Sequence, residues 1–400
     1  MRSSWCRLHV LVVLTTVATA TSGSDDIFPS FFTSTLESDG TVKVVDGTPL
    51  SKSQVDLDKP PRLRWEGVMT ANRAAARKTI MYLFSKLPTS IHAEVDKLVL
   101  EGDERLPEWA REEMRGVAEI LNVTLADVLL VNLFFEITPF CTSIVTQSSS
   151  TGHVYHARNM DFGLGMPALS ENLRNIAVDV EFIRGGKPAF VTTTFAGYIG
   201  AATGMRLNQV GLFSITVNER EMTGPVPVPN IFKSVLNLIN ALMTTDAYPV
   251  TWAVREILED DSAYVSFDAA VSALSTRPLA TQMYLTIGGT VAGEGVVLTR
   301  DHNKLLDTWR MNATSGGWYL VQTNYDHWLP MPVWDNRKKP AEKALDEVGA
   351  DAVTDEVVYD SVLSRDPVLN RLTVYSTTMF CEEGKYASFV RICDACSPFR

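Results

Sequence analysis

One cysteine of this chain stands where a reactive thiol could do chemistry. Cys141 follows a strongly apolar run, "LLVNLFFEITPF", and begins a run of alternating residues, "CTSIVTQ". A second alternating run, "HARNMDF", brings Arg158 and Asp161 three residues apart. Taken alone, a cysteine after an apolar run is more often a core residue than a nucleophile. The arginine and the carboxylate favour a nucleophile, because a nearby cation lowers the pKa of a thiol.

Cleavage of the chain itself would supply the base that this thiol needs. If the Phe140–Cys141 bond is cut, Cys141 gains a free α-amine with an ordinary pKa of about 7.7–8.0, a usable proton acceptor beside the thiol. Nucleophile and base then belong to one residue, and no catalytic histidine is needed. None of the six histidines lies in a recognisable catalytic motif. Arg158 would lower the pKa of amine and thiol, and Asp161 would hold the ammonium.

The elements that must position these residues change character at Cys141. Residues 61–136 show apolar spacings near 3.6, which predict helices, with Thr124 as the N-cap of the last one. After Cys141 the spacing becomes two, which predicts strands such as "HVYHARNMDF", "AVDVEFIRGGKPAFVTTTF" and "RLTVYSTTMF". Further helices are predicted at 231–243, 252–259, 267–274 and 340–348. Strands in hairpin order with helices in blocks predict an α+β architecture.

The first twenty residues predict a secreted protein. Arg2 and Arg7, a short apolar core and "ATA" form a signal peptide over residues 1–20, too short and too promptly followed by polar residues for a membrane anchor. The sequons at Asn122 and Asn312 fit glycosylation. Residues 21–60 are polar and rich in Gly and Ser, which predicts a flexible lead-in before the helices.

Charge and cysteine content narrow the function further. The formal net charge is −11, and loss of Arg2 and Arg7 would make it more negative, which argues against nucleic acid as a partner. Cys393 and Cys396 are close enough in sequence for a small disulfide loop, whereas zinc would need two further ligands. Cys141 and Cys381 are then free or paired with each other. We expect no metal and no cofactor.

Other catalytic motifs are absent or weak. The sequence contains no G-x-S-x-G elbow of a serine hydrolase. Two glycine-rich stretches, "GYIGAATG" and "GGTVAGEG", lack the Lys-Ser/Thr ending of a phosphate loop, and tight turns explain them better.

Several motifs in order resemble one family. "CTSIV", "HARNMDFG", "TTFAGYIG", "NER" and "VQTNYDHW…DNR" are similar to the acid ceramidase and N-acylethanolamine-hydrolysing acid amidase family of N-terminal-nucleophile hydrolases, over residues 64–390. The resemblance implies an αββα sandwich and self-cleavage between Phe140 and Cys141. It further implies a helical α-subunit, residues 21–140, that stays bound to a catalytic β-subunit, residues 141–400. It implies hydrolysis of fatty-acyl amide lipids in lysosomes.

The resemblance also implies roles for five residues around Cys141. Arg158 and Asp161 correspond to the pair that positions the nucleophile. Glu219 in "NER" corresponds to an acidic residue lining the site, Asn324 in "TNYD" to the side-chain donor of the oxyanion hole, and Arg337 in "DNR" to a supporting basic residue. Taken singly, these residues have ordinary explanations as turn residues, ion pairs or solvated carboxylates. Their combination with a strand-leading cysteine favours the active site.

The substrate is less sharply predicted. Residues 21–140 contain no cysteine, so the disulfide that links the subunits in the ceramidase branch cannot form here. We therefore favour N-acylethanolamines such as palmitoylethanolamide, with ceramide as the alternative. Candidate linings for the acyl chain are residues 80–84 and 231–243, of which the second is equally well explained as a core helix or as a face that touches membranes.

Two other functions remain open at this level. An amidase of the same fold could act on a non-lipid amide, such as a bile-salt or penicillin-type substrate. A secreted lipid-binding glycoprotein without catalysis would leave Cys141 as a buried core residue and the chain uncut.

Overall fold

The computed structural model describes residues 46–86, 88–101, 105–136, 140–162, 167–207, 211–220, 231–312 and 315–397. The predicted signal peptide and residues 21–45 lie outside these residues. The α-helices are α1 (Glu66–Lys86), α2 (Thr89–Glu101), α3 (Glu108–Leu121), α4 (Leu125–Phe135), α5 (Pro167–Arg174), α6 (Ile231–Thr244), α7 (Val250–Glu259), α8 (Phe267–Thr276), α9 (Lys338–Val348) and α10 (Asp355–Val358), and a π-helical turn (Tyr359–Leu363) follows α10. The strands are β1 (Ser51–Asp56), β2 (Phe140–Gln147), β3 (Val154–Asp161), β4 (Ala177–Arg184), β5 (Lys187–Phe195), β6 (Thr203–Arg206), β7 (Ser214–Glu219), β8 (Met283–Gly288), β9 (Gly295–Arg300), β10 (Leu305–Arg310), β11 (Tyr319–Gln322), β12 (Thr373–Phe380) and β13 (Lys385–Val390).

Two sheets face each other between two layers of helices. The larger sheet has the strand order β1-β4-β5-β6-β7-β8-β9-β10 and the smaller one β11-β2-β3-β12-β13. β2 contacts β7, β8 and β9, which packs the small sheet on the large one. Helices α7 and α8 contact the large sheet, and α9, α10 and the π-helical turn contact the small one. The predicted α+β class and αββα sandwich are confirmed.

Burial on both faces explains why β2 and β3 carry so many chemical groups. Every residue of both strands is buried, because one face meets the large sheet and the other meets α9, α10 and the π-helical turn. In β2 the side chains of Cys141 and Ser143 point to the large sheet, whereas Ile144 packs with the helices. This alternation is the ordinary two-residue period of a strand.

The N-terminal segment, residues 21–140, contributes the helices α1 to α4 between residues 66 and 135. Thr124 caps α4 as predicted, since its Oγ1 accepts from the N–H of Asp127 at 3.1 Å and the Asp127 carboxylate accepts from the N–H of Thr124 at 2.8 Å. The four helices predicted after residue 230 are confirmed, with bounds within two residues of those observed. The sequon residues Asn122 and Asn312 are exposed, and their glycosylation stays a prediction.

The flexible lead-in is the fold prediction that is wrong in part. Residues 51–56 form β1, which pairs in parallel with β4 at the edge of the large sheet. Just outside the strand, Gly47 donates to the Val390 carbonyl at 2.8 Å. The polar composition concealed this strand because, as an edge strand, it exposes most of its side chains and buries Val55. A strand of the N-terminal segment thus completes a sheet of the C-terminal segment, residues 141–400.

A buried ion pair ties the two segments together elsewhere. Glu113 on α3 is fully buried and accepts from Arg255 Nη2 on α7 at 2.7 Å. It also accepts from the indole N–H of Trp65 at 2.6 Å and from Arg64 Nη1 at 3.1 Å. Charges in this environment are stable only when paired and hydrogen-bonded, so this contact fixes which face of α3 meets α7.

Within the described residues, no single helix is both long and apolar enough to cross a membrane. Two consecutive helices, Glu108–Leu121 and Leu125–Phe134, reach that length and apolarity only when taken together, and the chain bends by 114° between them.

Candidate active site

Cys141 is the second residue of β2 and is fully buried between the sheets. Its Sγ accepts a hydrogen bond from Arg158 Nη2 and lies 3.7 Å from Met160 Sδ and 3.8 Å from the main-chain oxygen of Val217. Arg158 comes from β3, which pairs with β2 so that Cys141 is opposite Met160. The sheet therefore brings the predicted nucleophile and its arginine into direct contact.

The thiol is not activated in the uncut chain. Burial raises the pKa of Cys141 to about 11, although Arg158 acts to lower it. The expected effect of Arg158 is present but is outweighed by the loss of water around the sulfur. Cys141 is thus a neutral thiol in this state.

Asn324 binds the main chain at the predicted cleavage point. Its Oδ1 accepts from the N–H of Cys141 at 2.9 Å, and its Nδ2 donates to the main-chain carbonyl of Glu219 at 2.7 Å. Glu219 ends β7, so this contact joins the large sheet to the loop after β11. The side-chain amide therefore lies beside the atoms that would react, as an oxyanion-hole donor must, with its N–H directed to Glu219.

Arg337 connects the predicted residues into one network. It is fully buried and donates to Asp161 Oδ2 at 2.9 Å, to Asn324 Oδ1 at 2.8 Å and to both carboxylate oxygens of Asp335 at 2.8–2.9 Å. Burial acts to lower the pKa of Arg337, but Asp335 and Asp161 outweigh it and raise that pKa. A permanently charged guanidinium therefore holds Asn324 in place.

The carboxylate of Asp161 lies on the other side of β3 from the guanidinium of Arg158. Side chains three apart on a strand face opposite ways, so Arg158 reaches the large sheet and Asp161 reaches Arg337 and Thr373. Thr373 donates to Asp161 Oδ1 at 2.6 Å. Burial raises the pKa of Asp161, and Arg337 opposes that rise. Arg158 and Asp161 thus make separate contacts on opposite faces of β3, which contradicts their ordinary explanation as an ion pair on one face of a strand.

Arg158 is held by the large sheet. Its Nη1 donates to the Ala202 carbonyl at 2.7 Å and to Thr203 Oγ1 at 2.8 Å, and the Tyr375 hydroxyl lies 2.8 Å from the same Thr203 oxygen. These contacts aim its Nη2 at Cys141.

Sequence reasoning missed several supporting residues. Asp335, which binds Arg337 and the N–H of Asn324, stands two positions before Arg337 in "DNR" and could have been noticed there. Asn218 donates to the Gln322 carbonyl at 2.9 Å, and Ser143 donates to Asn218 at 2.7 Å, but no sequence pattern signals that pairing.

A small cavity lies next to Met160, the residue whose Sδ is 3.7 Å from the thiol of Cys141. It is lined by Met160, Phe162, Thr193, Thr194, Phe195, Tyr198, Ala202 and Tyr375. The two acyl-chain linings predicted from sequence are elsewhere: Ile80 and Leu83 lie in the core, and α6 buries Val235 and Leu238 while exposing Leu236. Cys393 and Cys396 form a disulfide, and Cys381 is free and buried.

Comparison with known proteins places this site in a family. A family profile described as the beta subunit of N-acylethanolamine-hydrolyzing acid amidase matches residues 48–106, within the segment that the resemblance above labels the α-subunit. The N-acylethanolamine-hydrolyzing acid amidase of Cavia porcellus is 37% identical over 84% of this chain and 89% of its own. The acid ceramidase of Balaenoptera acutorostrata scammoni is 34% identical over 86% of each chain.

A solved structure agrees with the sequence relatives. The Caenorhabditis elegans N-acylethanolamine-hydrolyzing acid amidase ortholog superposes with a TM-score of 0.52 at 30% identity, covering 62% of this chain and 99% of that one. Identity above 30% over most of both chains, together with this shared fold, identifies the chain as a member of the N-acylethanolamine-hydrolyzing acid amidase and acid ceramidase family.

Proposed function

We propose that this chain is a lysosomal amidase that hydrolyses the amide bond of fatty-acyl lipids, with N-acylethanolamines such as palmitoylethanolamide as substrates. It acts through Cys141 after cutting its own chain between Phe140 and Cys141. The observation that carries the proposal is the contact of a fully buried thiol with Arg158 while its own main-chain N–H is held by Asn324. The sulfur and the nitrogen of Cys141, which self-cleavage would turn into nucleophile and base, are therefore already hydrogen-bonded within one site.

Activation begins with attack of Cys141 Sγ on the carbonyl carbon of Phe140. The C–N bond breaks, the nitrogen takes the thiol proton, and a thioester forms. Water then hydrolyses the thioester and releases the Phe140 carboxylate and the thiol. The α-amine so produced has an ordinary pKa near 8 and serves as the general base that the neutral thiol lacks in the uncut chain.

Turnover repeats the same chemistry on a lipid amide. The amine of Cys141 accepts the thiol proton, the sulfur attacks the substrate carbonyl, and the amine returns the proton to the departing ethanolamine nitrogen. Water then cleaves the acyl thioester and releases the fatty acid. Negative charge on the substrate oxygen would be stabilised by the N–H of Asn324, after it turns from the Glu219 carbonyl that it meets in the uncut chain.

The two segments are proposed to remain associated as a heterodimer after cleavage. Residues 21–140 contain no cysteine, so the association is non-covalent. The Glu113–Arg255 ion pair and the pairing of β1 with β4 support it. The exposed apolar residue Leu236 supports brief contact of α6 with a lipid surface.

Replacement of Asn324 by alanine is expected to lower kcat by about 10²–10³-fold, the usual effect of losing one oxyanion-hole donor. The rate is measured per cut molecule, counted with an acylating thiol reagent. Asn303→Ala, which removes an exposed amide from the turn between β9 and β10, is the control and should leave kcat unchanged. An unchanged kcat in Asn324→Ala would remove this residue from the oxyanion hole.

Substrate choice is tested by a direct comparison. Protein is held at pH about 4.5, where carboxylates begin to protonate, and its new N-terminus is read by mass spectrometry before assay on palmitoylethanolamide and ceramide. We expect an N-terminus at Cys141 and faster hydrolysis of palmitoylethanolamide. Faster hydrolysis of ceramide would favour acid ceramidase activity, the second candidate, which the 34% identity to an enzyme of that name supports.

A further inference from the structure

A buried carboxylate five residues before Cys141 belongs to none of the contacts described above. Glu136 is the C-cap of α4 and is fully buried. Its Oε2 accepts from the N–H of Val250 at 2.7 Å, and its Oε1 accepts from the N–H of Thr251 at 3.0 Å and from the Thr251 hydroxyl. These N–H groups form the first turn of α7, where the helix favours negative charge. Glu136 is thus anchored to the C-terminal segment.

Tyr198 and Gly200 arrange the hydrogen-bond donors around the Glu136 carboxylate. Tyr198 donates from its hydroxyl to Thr251 Oγ1, which leaves the threonine hydrogen for Glu136. A Cβ atom at Gly200 would lie 2.3 Å from Thr251 Oγ1 and 2.9 Å from the Tyr198 hydroxyl, so only glycine fits there. This gives part of the glycine-rich stretch "GYIGAATG" a purpose beyond a turn.

The residues on both sides of the Phe140–Cys141 bond, which the proposed self-cleavage would cut, are also held in place. Phe140 pairs with Asp161 in the small sheet and packs against Tyr325 and Trp334. Cys141 Sγ faces Arg158 and the Val217 oxygen. Transfer of the acyl group from nitrogen to sulfur closes a five-membered ring of Sγ, Cβ, Cα, N and the carbonyl carbon. The pairing and packing of Phe140 restrain the Phe140–Cys141 peptide, so we expect that loosening the chain ahead of Phe140 makes the ring easier to close.

We propose that Glu136 is a positioning residue for the self-cleavage: while ionised it anchors the chain ahead of Phe140 to α7 and keeps the Phe140–Cys141 peptide in its strand, and its protonation releases that peptide to react. This inference rests on the proposed self-cleavage and adds the group that controls when it occurs. All three hydrogen bonds to Glu136 are donated to it, so they hold the carboxylate more strongly than the neutral acid.

Glu136 changes its charge state near neutral pH. Burial raises its pKa to about 7, and the hydrogen bonds from Thr251 and Val250 oppose that rise. Tyr198 is the titratable side chain that faces it, with Tyr375 and then Arg158 beyond. Burial, with Glu136 adding to it, raises the pKa of Tyr198 well above the ordinary value, so this phenol stays neutral. Ionised Glu136 therefore predominates above pH 7, and self-cleavage should accelerate as the pH falls through that value.

The test compares self-cleavage of the purified full chain and its Glu136→Gln variant at several pH values from about 5.5 to 8.5. Glutamine has the shape of the protonated acid and cannot ionise. A single titration near pH 7 predicts that the ratio of variant to wild-type cleavage rates rises about thirty-fold across this range and is about two at pH 7, the midpoint of the wild-type rate relative to the variant. Using this ratio removes the pH dependence of the thiol chemistry, which both proteins share.

Two matched variants make the result specific. Glu136→Asp keeps an ionisable group and should keep a pH-dependent rate. Glu256→Gln removes a partly buried carboxylate from the same helix α7, one that binds Trp109, and its ratio to wild type should stay constant with pH. If Glu136→Gln does not fold, Thr251→Val replaces it: loss of one donor should move the wild-type midpoint to higher pH.

Several results would overturn the inference. A Glu136→Gln ratio that is constant with pH, slower cleavage of that variant at every pH, or an unmoved midpoint in Thr251→Val would each show that Glu136 does not restrain the peptide. If the wild-type chain is cut in acid while these results are obtained, only this inference fails. A wild-type chain that stays uncut at every pH yet hydrolyses lipid amides would refute the proposed self-cleavage itself.

Discussion

Cys141→Ala is expected to yield a single uncut chain without amidase activity. The substitution removes the sulfur that must attack both the Phe140 carbonyl and the substrate carbonyl. We expect kcat to fall by about 10⁶-fold, as it does when the nucleophilic serine is removed from a serine protease in which nucleophile and base act together. Gel electrophoresis and mass spectrometry report the cleavage, and release of fatty acid from palmitoylethanolamide reports the activity.

Cys381→Ala is the matched control for this experiment. Cys381 is the other free cysteine among the described residues, is equally buried, and packs with Met379 and Met205 in a separate hydrophobic cluster. We expect this variant to be cut and active. Cys141→Ser should be cut slowly and turn over weakly, because a hydroxyl is a poorer nucleophile than a thiol. Cleavage of Cys141→Ala at the same bond would contradict a self-catalysed reaction and indicate a separate protease.

Arg337→Met is expected to lower the free energy of unfolding by about 3–5 kcal/mol, the usual cost of removing one partner from a buried ion pair. The change leaves the carboxylates of Asp161 and Asp335 buried without their cation and frees Asn324 from its guanidinium. Self-cleavage should fail as a consequence. Urea unfolding in a Cys141→Ala background measures the stability of one uncut chain.

The stability deficit of Arg337→Met should grow as the pH rises. Burial already raises the pKa of Asp161, and without Arg337 that pKa rises further. A carboxyl group whose pKa is raised by folding stabilises the fold below its unfolded pKa and loses that contribution as the pH rises through its folded pKa. The deficit is therefore smallest in acid.

Arg310→Met provides the comparison for this substitution. Arg310 is half exposed and bridges to an exposed Asp268 at 3.6 Å, so its loss should change stability by no more than about 0.5 kcal/mol. Arg337→Lys keeps a charge but loses the fork that reaches three side chains, and we expect an intermediate deficit. An Arg337→Met protein as stable as wild type at neutral pH would show that this guanidinium does not hold the buried carboxylates in place.

The position of Cys141 at the junction of helices and strands could be predicted from the sequence. The change of period at Cys141 located the junction of helices and strands, and the cysteine heads β2 as expected. The predicted residues Arg158, Asp161, Asn324 and Arg337 come together around it, from strand β3 and from the segments next to β11 and α9. Local periodicity is sufficient to locate such a junction because it depends only on which face of an element is buried, whereas the roles of Asn324 and Arg337 were implied by the family resemblance.

Tertiary structure decided what each of those residues touches. Strand parity separated Arg158 from Asp161, and sheet pairing turned polar residues 51–56 into β1. Burial raised the pKa of the thiol that the neighbouring arginine alone would have lowered, and it anchored Glu136 on α7, a helix more than a hundred positions away. Desolvation and contacts between distant segments exist only once the chain has folded, so composition and spacing indicate the candidate nucleophile, whereas the packed sheets determine its charge state and its restraints.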